Sequence, residues 1–217
     1  IITNIMSILV HQLALGTMDN FVYVIEDDVS KSCAIVDPAW DVTAIIECIQ
    51  SRDLELVYIL LTHGHFDHTD GLVDCLAYKE VPVYMSKQEL PKLIPNQQNL
   101  IFTNDNDVIP FGSNRIKIMH TPGHSPGGQC FYIDDHLITG DTLFINGCGR
   151  CDLGGSSIDD MYESLERIKS LPDDTLIYPG HHYDDKPIDT LINQKKTNRF
   201  LLCQNKDEFI RKRSRKK

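Results

Sequence analysis

His63, His65, Asp67 and His68 fall within one six-residue stretch between Leu60 and Asp70. Three imidazoles and a carboxylate this close offer the donors that bind zinc, iron or manganese. Histidines that merely hydrogen-bond within a turn would explain one such residue far better than this spacing. Three further candidates lie downstream, each beside a glycine: His124 after Gly123, Asp141 after Gly140 and His181 after Gly180. Glycine lets backbone approach a site where a Cβ would collide. Together the set holds five histidines and two aspartates, enough for two cations. His11, His120, His136 and His182 are read as structural.

Ligands so far apart in sequence need a rigid frame that ends repeatedly at one place. The apolar run from Leu56 to Leu61 reads as a buried strand that delivers the first cluster into a loop too tight to be a helix face. Asn20 to Ile25 and Ser32 to Val36 read as strands, as do Val81 to Tyr84, Arg115 to His120, Gln129 to Ile133, His136 to Thr139 and Thr175 to Tyr178. The apolar start, Ile1 to Leu15, reads as a first strand rather than a signal peptide, since it lacks a basic leading region and a cleavage site.

Helices are expected from Asp41 as N-cap to Gln50, from Gly71 to Tyr78, from Ile158 to Leu171 with Ser157 as cap, and from Pro187 to Lys196. Residues 86–106 carry no clear period, and Pro110 to Asn114 reads as a turn. Strands in series with interspersed helices favour two packed sheets under helical outer layers. No domain boundary is visible: residues 1–210 form one domain, and 211–217 a basic tail.

The chain has 217 residues and a net charge of −10, although six of its basic residues crowd into 211–217. The rest is therefore strongly acidic, which argues against a nucleic-acid surface. The tail reads chiefly as a solvated end, with RNA, coenzyme A or a phosphopantetheinyl carrier protein as phosphate partners it could grip. Seven cysteines, mostly inside apolar segments, fit packed free thiols in a reducing cytoplasm. Cys148 and Cys151 form a lone C-x-x-C, a weak redox or zinc signal. No apolar run reaches the ~18–20 residues that span a bilayer.

The ordered set H-x-H-x-D-H, glycine-flanked histidine, G-D-T and P-G-H resembles the metallo-β-lactamase superfamily over nearly the whole chain. Gly140 to Phe144 and Gly147 to Arg150 resemble its glyoxalase II branch. The resemblance implies an α/β fold, a four-layered αβ/βα sandwich of two mixed sheets with the site at one edge. It also assigns His63, His65 and His124 to one metal, Asp67, His68 and His181 to a second, and Asp141 to a bridge between them. The implied cofactors are two divalent ions, zinc foremost, with iron or manganese as alternatives.

The expected reaction is hydrolysis of an acyl thioester by a metal-bridging hydroxide, with Asp67 as proton acceptor and Asp141 as the shared ligand. Thiols ionise near pH ~8.5, so the leaving group needs little protonation and no serine or cysteine nucleophile is required. Glutathione-using relatives imply Arg150 and Tyr183 as substrate contacts, but here Asp152 stands where they have an aromatic. Only 36 residues follow His181, too few for the helical domain those relatives append. The segments Asp37 to Asp41, Gly154 to Ser156 and Asn198 to Leu201 resemble zinc-dependent hydrolases of trans-acyltransferase polyketide pathways. A small-molecule or carrier-bound acyl thioester is thus the implied substrate, an acyl carrier protein the implied partner, and no membrane is involved. The alternative is a persulfide dioxygenase, with one iron at His63, His124 and Asp141. A β-lactamase, an RNA-processing nuclease and a non-catalytic binding module rank lower.

Overall fold

The computed structural model describes residues 8–89 and 97–214. The first half of the chain builds a sheet of β1 (Ile8–Leu15), β2 (Asn20–Asp27), β3 (Ser32–Val36), β4 (Glu55–Leu60), β5 (Val83–Ser86) and β6 (Leu100–Thr103), in that spatial order. The first three strands pair antiparallel and the rest parallel, with helical crossovers at two of the parallel connections. Those crossovers are α1 (Val42–Gln50), between β3 and β4, and α2 (Phe66–Thr69) with α3 (Leu72–Tyr78), between β4 and β5.

The second half builds β7 (Val108–Phe111), β8 (Asn114–His120), β9 (Gln129–Ile133) and β10 (His136–Gly140), then a small ribbon of β11 (Leu143–Phe144) and β12 (Gly147–Cys148). After α4 (Ile158–Lys169) come β13 (Leu176–Pro179), β14 (Asp189–Thr190), α5 (Leu191–Thr197) and α6 (Lys206–Ser214). The second sheet runs β14-β13-β10-β9-β8-β7, with β10 and β13 parallel and the other pairs antiparallel.

The period of two in the strands explains the layering. In β2, Val22 and Val24 face the core under α1 and α3, whereas Phe21, Tyr23 and Ile25 face the second sheet. In the other sheet Ile118, Phe131 and Ile138 meet that central core. Met119, Cys130 and Leu137 turn outward beneath α4, α5 and α6. Two sheets buried on both faces give three apolar cores and the expected four-layered sandwich.

Two expected caps are present: Asp41 accepts from the Ala44 amide, and Ser157 from the Asp160 amide at 3.1 Å. Other expectations need correction. Residues 189–190 pair with β13 as a short strand, so the last-but-one helix starts at Leu191, capped by Thr190, not at Pro187. The aperiodic stretch contains β6, and Pro110 lies within β7, whose edge position needs no donor from it. The basic tail is not a separate appendage over 211–214: α6 runs through it, anchored by fully buried Phe209. Residues 1–7 of the first apolar stretch, 90–96 of the aperiodic one and 215–217 of the tail lie outside the described residues. Among the described residues no helix is long and apolar enough to cross a membrane.

Candidate metal centre

All seven candidate ligands meet at one rim of the sandwich. His63 and His65 follow the end of β4. Asp67 and His68 lie on α2, a single helical turn rather than the expected non-helical loop, with His65 at its N-cap position. His124 comes from the β8–β9 loop, Asp141 is the residue after β10, and His181 is the second residue after β13. The adjacent glycines have visible work: a Cβ on Gly180 would lie 2.5 Å from Asp141 Oδ1. Gly140 takes a φ of +46°, and a Cβ there would strike Thr62.

Three overlapping donor groups emerge: the two expected sets, and Asp37 with His63 and His68. Donor atoms of His63, His65 and His124 lie within 4.8 Å of one another, as do those of Asp67, His68 and His181. Asp141 stands between them. Its Oδ1 is 3.4 Å from both His68 Nε2 and His181 Nε2, and its Oδ2 is 3.3 Å from His124 Nε2.

Three of the imidazoles are fixed from behind so that one nitrogen faces the site. His68 Nδ1 is 3.0 Å from Asp37 Oδ2, His124 Nδ1 is 2.8 Å from the Arg150 carbonyl, and His181 Nδ1 is 2.8 Å from the Met18 carbonyl. Acceptors at those positions require the ring N–H there and turn Nε2 to the site, with a lone pair whenever the ring is neutral. Yet His68 Nε2 and His181 Nε2 lie 3.2 Å apart, and His124 Nε2 is 3.0 Å from His65 Nδ1. Converging lone pairs repel unless a cation or a proton lies among them. His63 Nε2 and Asp141 Oδ1 are buried without a hydrogen-bond partner. The residues therefore fit metal ions.

Electrostatics divides the two sets. Burial, followed by the neighbouring His68, pushes His63 well below the usual imidazole range; burial and His124 lower His65. His68 goes the other way: burial opposes its charge, but Asp141, Asp37 and Asp67 outweigh it and raise the group to about 9. Burial likewise works against the Asp141 carboxylate, and His68, His181 and His63 overcome it, holding the acid well below the usual range.

Three residues with no place among the predicted ligands support this frame. Asp37 accepts from the Thr62 amide at 2.7 Å and its hydroxyl at 2.6 Å while holding His68. Asn20 donates to Asp67 Oδ2 at 3.2 Å and is itself held by Trp40 Nε1. Glu89 accepts from the Gly64 and Gly127 amides, joining the first histidine loop to the His124 loop. Asp37 has a signal: it directly follows β3, the parallel neighbour of β4, and so shares its edge.

A cavity of about 630 Å³ opens from His124 and Asp141 along Phe144, Arg150, Tyr183 and Arg199. Arg150 and Tyr183 are both on its wall. The Arg150 guanidinium is engaged in a bidentate pair with Asp152, at 2.6 and 2.9 Å, and the Tyr183 ring stacks on His181 at 4.7 Å. The seven cysteines are free. Burial pushes the thiols of Cys148 and Cys151 up, which removes the thiolate a redox pair requires.

Residues 15–181 match the model of the metallo-beta-lactamase superfamily. The chain belongs to that superfamily. Among relatives of this superfamily member, a "probable polyketide biosynthesis zinc-dependent hydrolase" of Bacillus velezensis is 37% identical, covering 91% of this chain and 88% of the relative. A hydroxyacylglutathione hydrolase of Gloeobacter violaceus is 36% identical over 81% of this chain and 68% of its own. The crystal structure of ETHE1 from Myxococcus xanthus superposes with a TM-score of 0.84 at 26% identity, covering 94% and 88% of the two chains. The metallo-β-lactamase resemblance and its sandwich fold are thus shown for this chain.

Proposed function

We propose that this superfamily member is a metal-dependent hydrolase of acyl thioesters that uses both ligand sets. The observation that carries the reading is the position of Asp141, with one carboxylate oxygen toward His68 and His181 and the other toward His124. One anion reaching both sets offsets the repulsion of two neighbouring dications. Zinc is the ion the hydrolase relatives suggest. When bound, such ions supply an activated water and a Lewis acid for the substrate carbonyl.

The chain's own groups do the rest. Asp37, Met18 and Arg150 hold three imidazoles with Nε2 toward the site through the contacts described above, so the rings are oriented before any ligand arrives. Asp67, tethered by Asn20, is the carboxylate placed to accept the proton of the attacking water. The leaving thiolate needs no dedicated acid, since thiols ionise near ~8.5. The cavity wall carrying Arg150 and Tyr183 receives the thiol arm, and its volume falls in the roughly 300–1,000 Å³ of small-molecule sites. The names of the relatives support a carrier-bound or glutathione-type thioester, with an acyl carrier protein as a partner.

A second reading, a persulfide dioxygenase with one iron at His63, His124 and Asp141, draws weight from the ETHE1 superposition. It leaves the complete Asp67, His68 and His181 set unused, and the hydrolase relatives are closer in sequence. The test is a panel of lactoyl-glutathione, acetyl-coenzyme A and acetyl-carrier protein with the metal-analysed protein, following thiol release. Thiol release with two ions per chain is expected. One iron per chain, oxygen uptake on glutathione persulfide and no thiol release would establish the dioxygenase instead.

A further inference from the structure

Arg199 and Arg213 reach the same cavity from two different elements. Both line it together with His124 and Asp141. The Arg199 guanidinium carbon lies 4.7 Å from the centre of the Phe200 ring, and that of Arg213 lies 5.7 Å from the same centre. Phe200 is buried, and Phe209 of α6 packs against it at 5.7 Å. Arg213 follows Phe209 by one helical turn, so the burial of Phe209 turns Arg213 toward the ring.

Neither arginine is in an ion pair among the described residues. Lys212, next to Arg213, is paired with Glu208, and Arg150 on the same wall is taken by Asp152. Arg213 meets the thiol of Cys151, a weak acceptor, and its Nε is buried with no partner. Two like charges on one aromatic ring, with a guanidinium nitrogen hidden from water, are costly unless an anion completes them. The planar guanidinium fork suits a phosphate, which can take two forks at once.

Resting on the thioester reading, we infer that Arg199 and Arg213 form an anion subsite for the phosphate of a phosphopantetheine arm whose acyl end lies at the metal ligands. That phosphate is common to coenzyme A and to acyl carrier proteins, whereas glutathione carries carboxylates. Bound there, it gives the unpaired Nε an acceptor and separates the two positive charges. Arg150, already neutralised by Asp152, contributes little to the phosphate.

The test uses the full, metal-loaded chain and unreactive thioether probes, measured by calorimetry. S-methyl-4′-phosphopantetheine is expected to bind about 10- to 100-fold more tightly than S-methyl pantetheine, the range of one or two charge-assisted contacts. In Arg199→Gln/Arg213→Gln that preference falls toward unity, and Arg213→Lys restores part of it. Equal binding of the two probes, or stronger binding of S-methyl glutathione, overturns the subsite. S-methyl coenzyme A and a carrier protein bearing the S-methyl arm separate the sources. Weakening of both in the double variant identifies the shared phosphate, and weakening of coenzyme A alone overturns it in favour of the nucleotide's own phosphate. The readout does not depend on turnover. A protein that binds the phosphorylated probe but cleaves no thioester keeps the subsite and loses the hydrolase reading.

Discussion

The two ligand sets sit side by side yet present opposite environments to a cation. His63, His65 and His124 form a set of imidazoles alone, and there burial and the neighbouring rings drive His63 and His65 toward the neutral form. The set of Asp67, His68 and His181 lies among carboxylates, with Asp37 behind His68 and Asp141 in front, and there His68 holds a proton to about 9. The first set waits with lone pairs free. The second must give up a proton before it takes a metal. Two sites alike in ligand count thus differ in the work of filling them, and the difference lies in the carboxylates around the imidazoles.

Removing the group the sets share has the largest expected effect. Asp141→Ala deletes the carboxylate that contacts His68, His181 and His124. Metal content by mass spectrometry should fall in both sets and thiol release should drop by more than about a thousandfold. Loss confined to one set would show that the carboxylate is not shared. Asp37→Asn comes next, because Asp37 touches His68 directly and reaches the first set only through Thr62, whose hydroxyl lies 3.0 Å from His63 Nδ1. An affinity loss of about 10- to 100-fold is expected in the second set, with little change in the first.

Varying pH separates the sets without mutation. A raised folded-state value means that the His68 proton stabilises the metal-free protein fully below its unfolded value of about 6.5. That contribution is lost as pH rises through about 9. The metal-free melting temperature should therefore fall over this window. Metal competes for the same nitrogen, so second-set affinity should rise by about tenfold per pH unit from pH 7 and level off above 9. The first set, already neutral at His63 and His65, should show no such slope. Parallel slopes would abolish the distinction. A smaller effect is expected from Glu89→Gln. It replaces one of the acceptors for the Gly64 and Gly127 amides with a donor, for a stability loss of about 1–3 kcal/mol in chemical denaturation.

The candidate ligands were legible because His63, His65, His124, Asp141 and His181 each stand beside a glycine after an apolar run, and Asp67 and His68 belong to the same dense cluster. His63 and His181 are 118 positions apart in number, but both follow strands whose ends the sandwich brings to one rim. Asp37 has a comparable signal, standing between the apolar run of β3 and Pro38. Asn20 and Glu89 carry none. Their roles arise from hydrogen bonds to partners far away in sequence, which no residue pattern records. The same holds for the short strands: β6, β7 and β14 are each four residues or fewer and exist through pairing with a neighbour rather than through periodicity. The last helix was hidden by its charge, since basic residues from Arg211 onward read as a solvated tail until Phe209 is seen in the core.

The smallest expected effect concerns the cavity wall beside the first set. Arg150 touches that set through its main-chain carbonyl, which accepts from His124 Nδ1, while its side chain turns to Asp152. Asp152→Ala should therefore leave metal content and melting temperature unchanged, since exposed ion pairs contribute little to stability. It frees the Arg150 guanidinium toward the cavity, so KM for a glutathione thioester, which carries carboxylates, should fall several-fold while kcat stays the same. A loss of metal from the first set instead would mean that the Arg150–Asp152 pair, and not the backbone alone, holds His124 in place. The imidazole set would then depend on a carboxylate too, and the contrast between the two sets would narrow to one of distance.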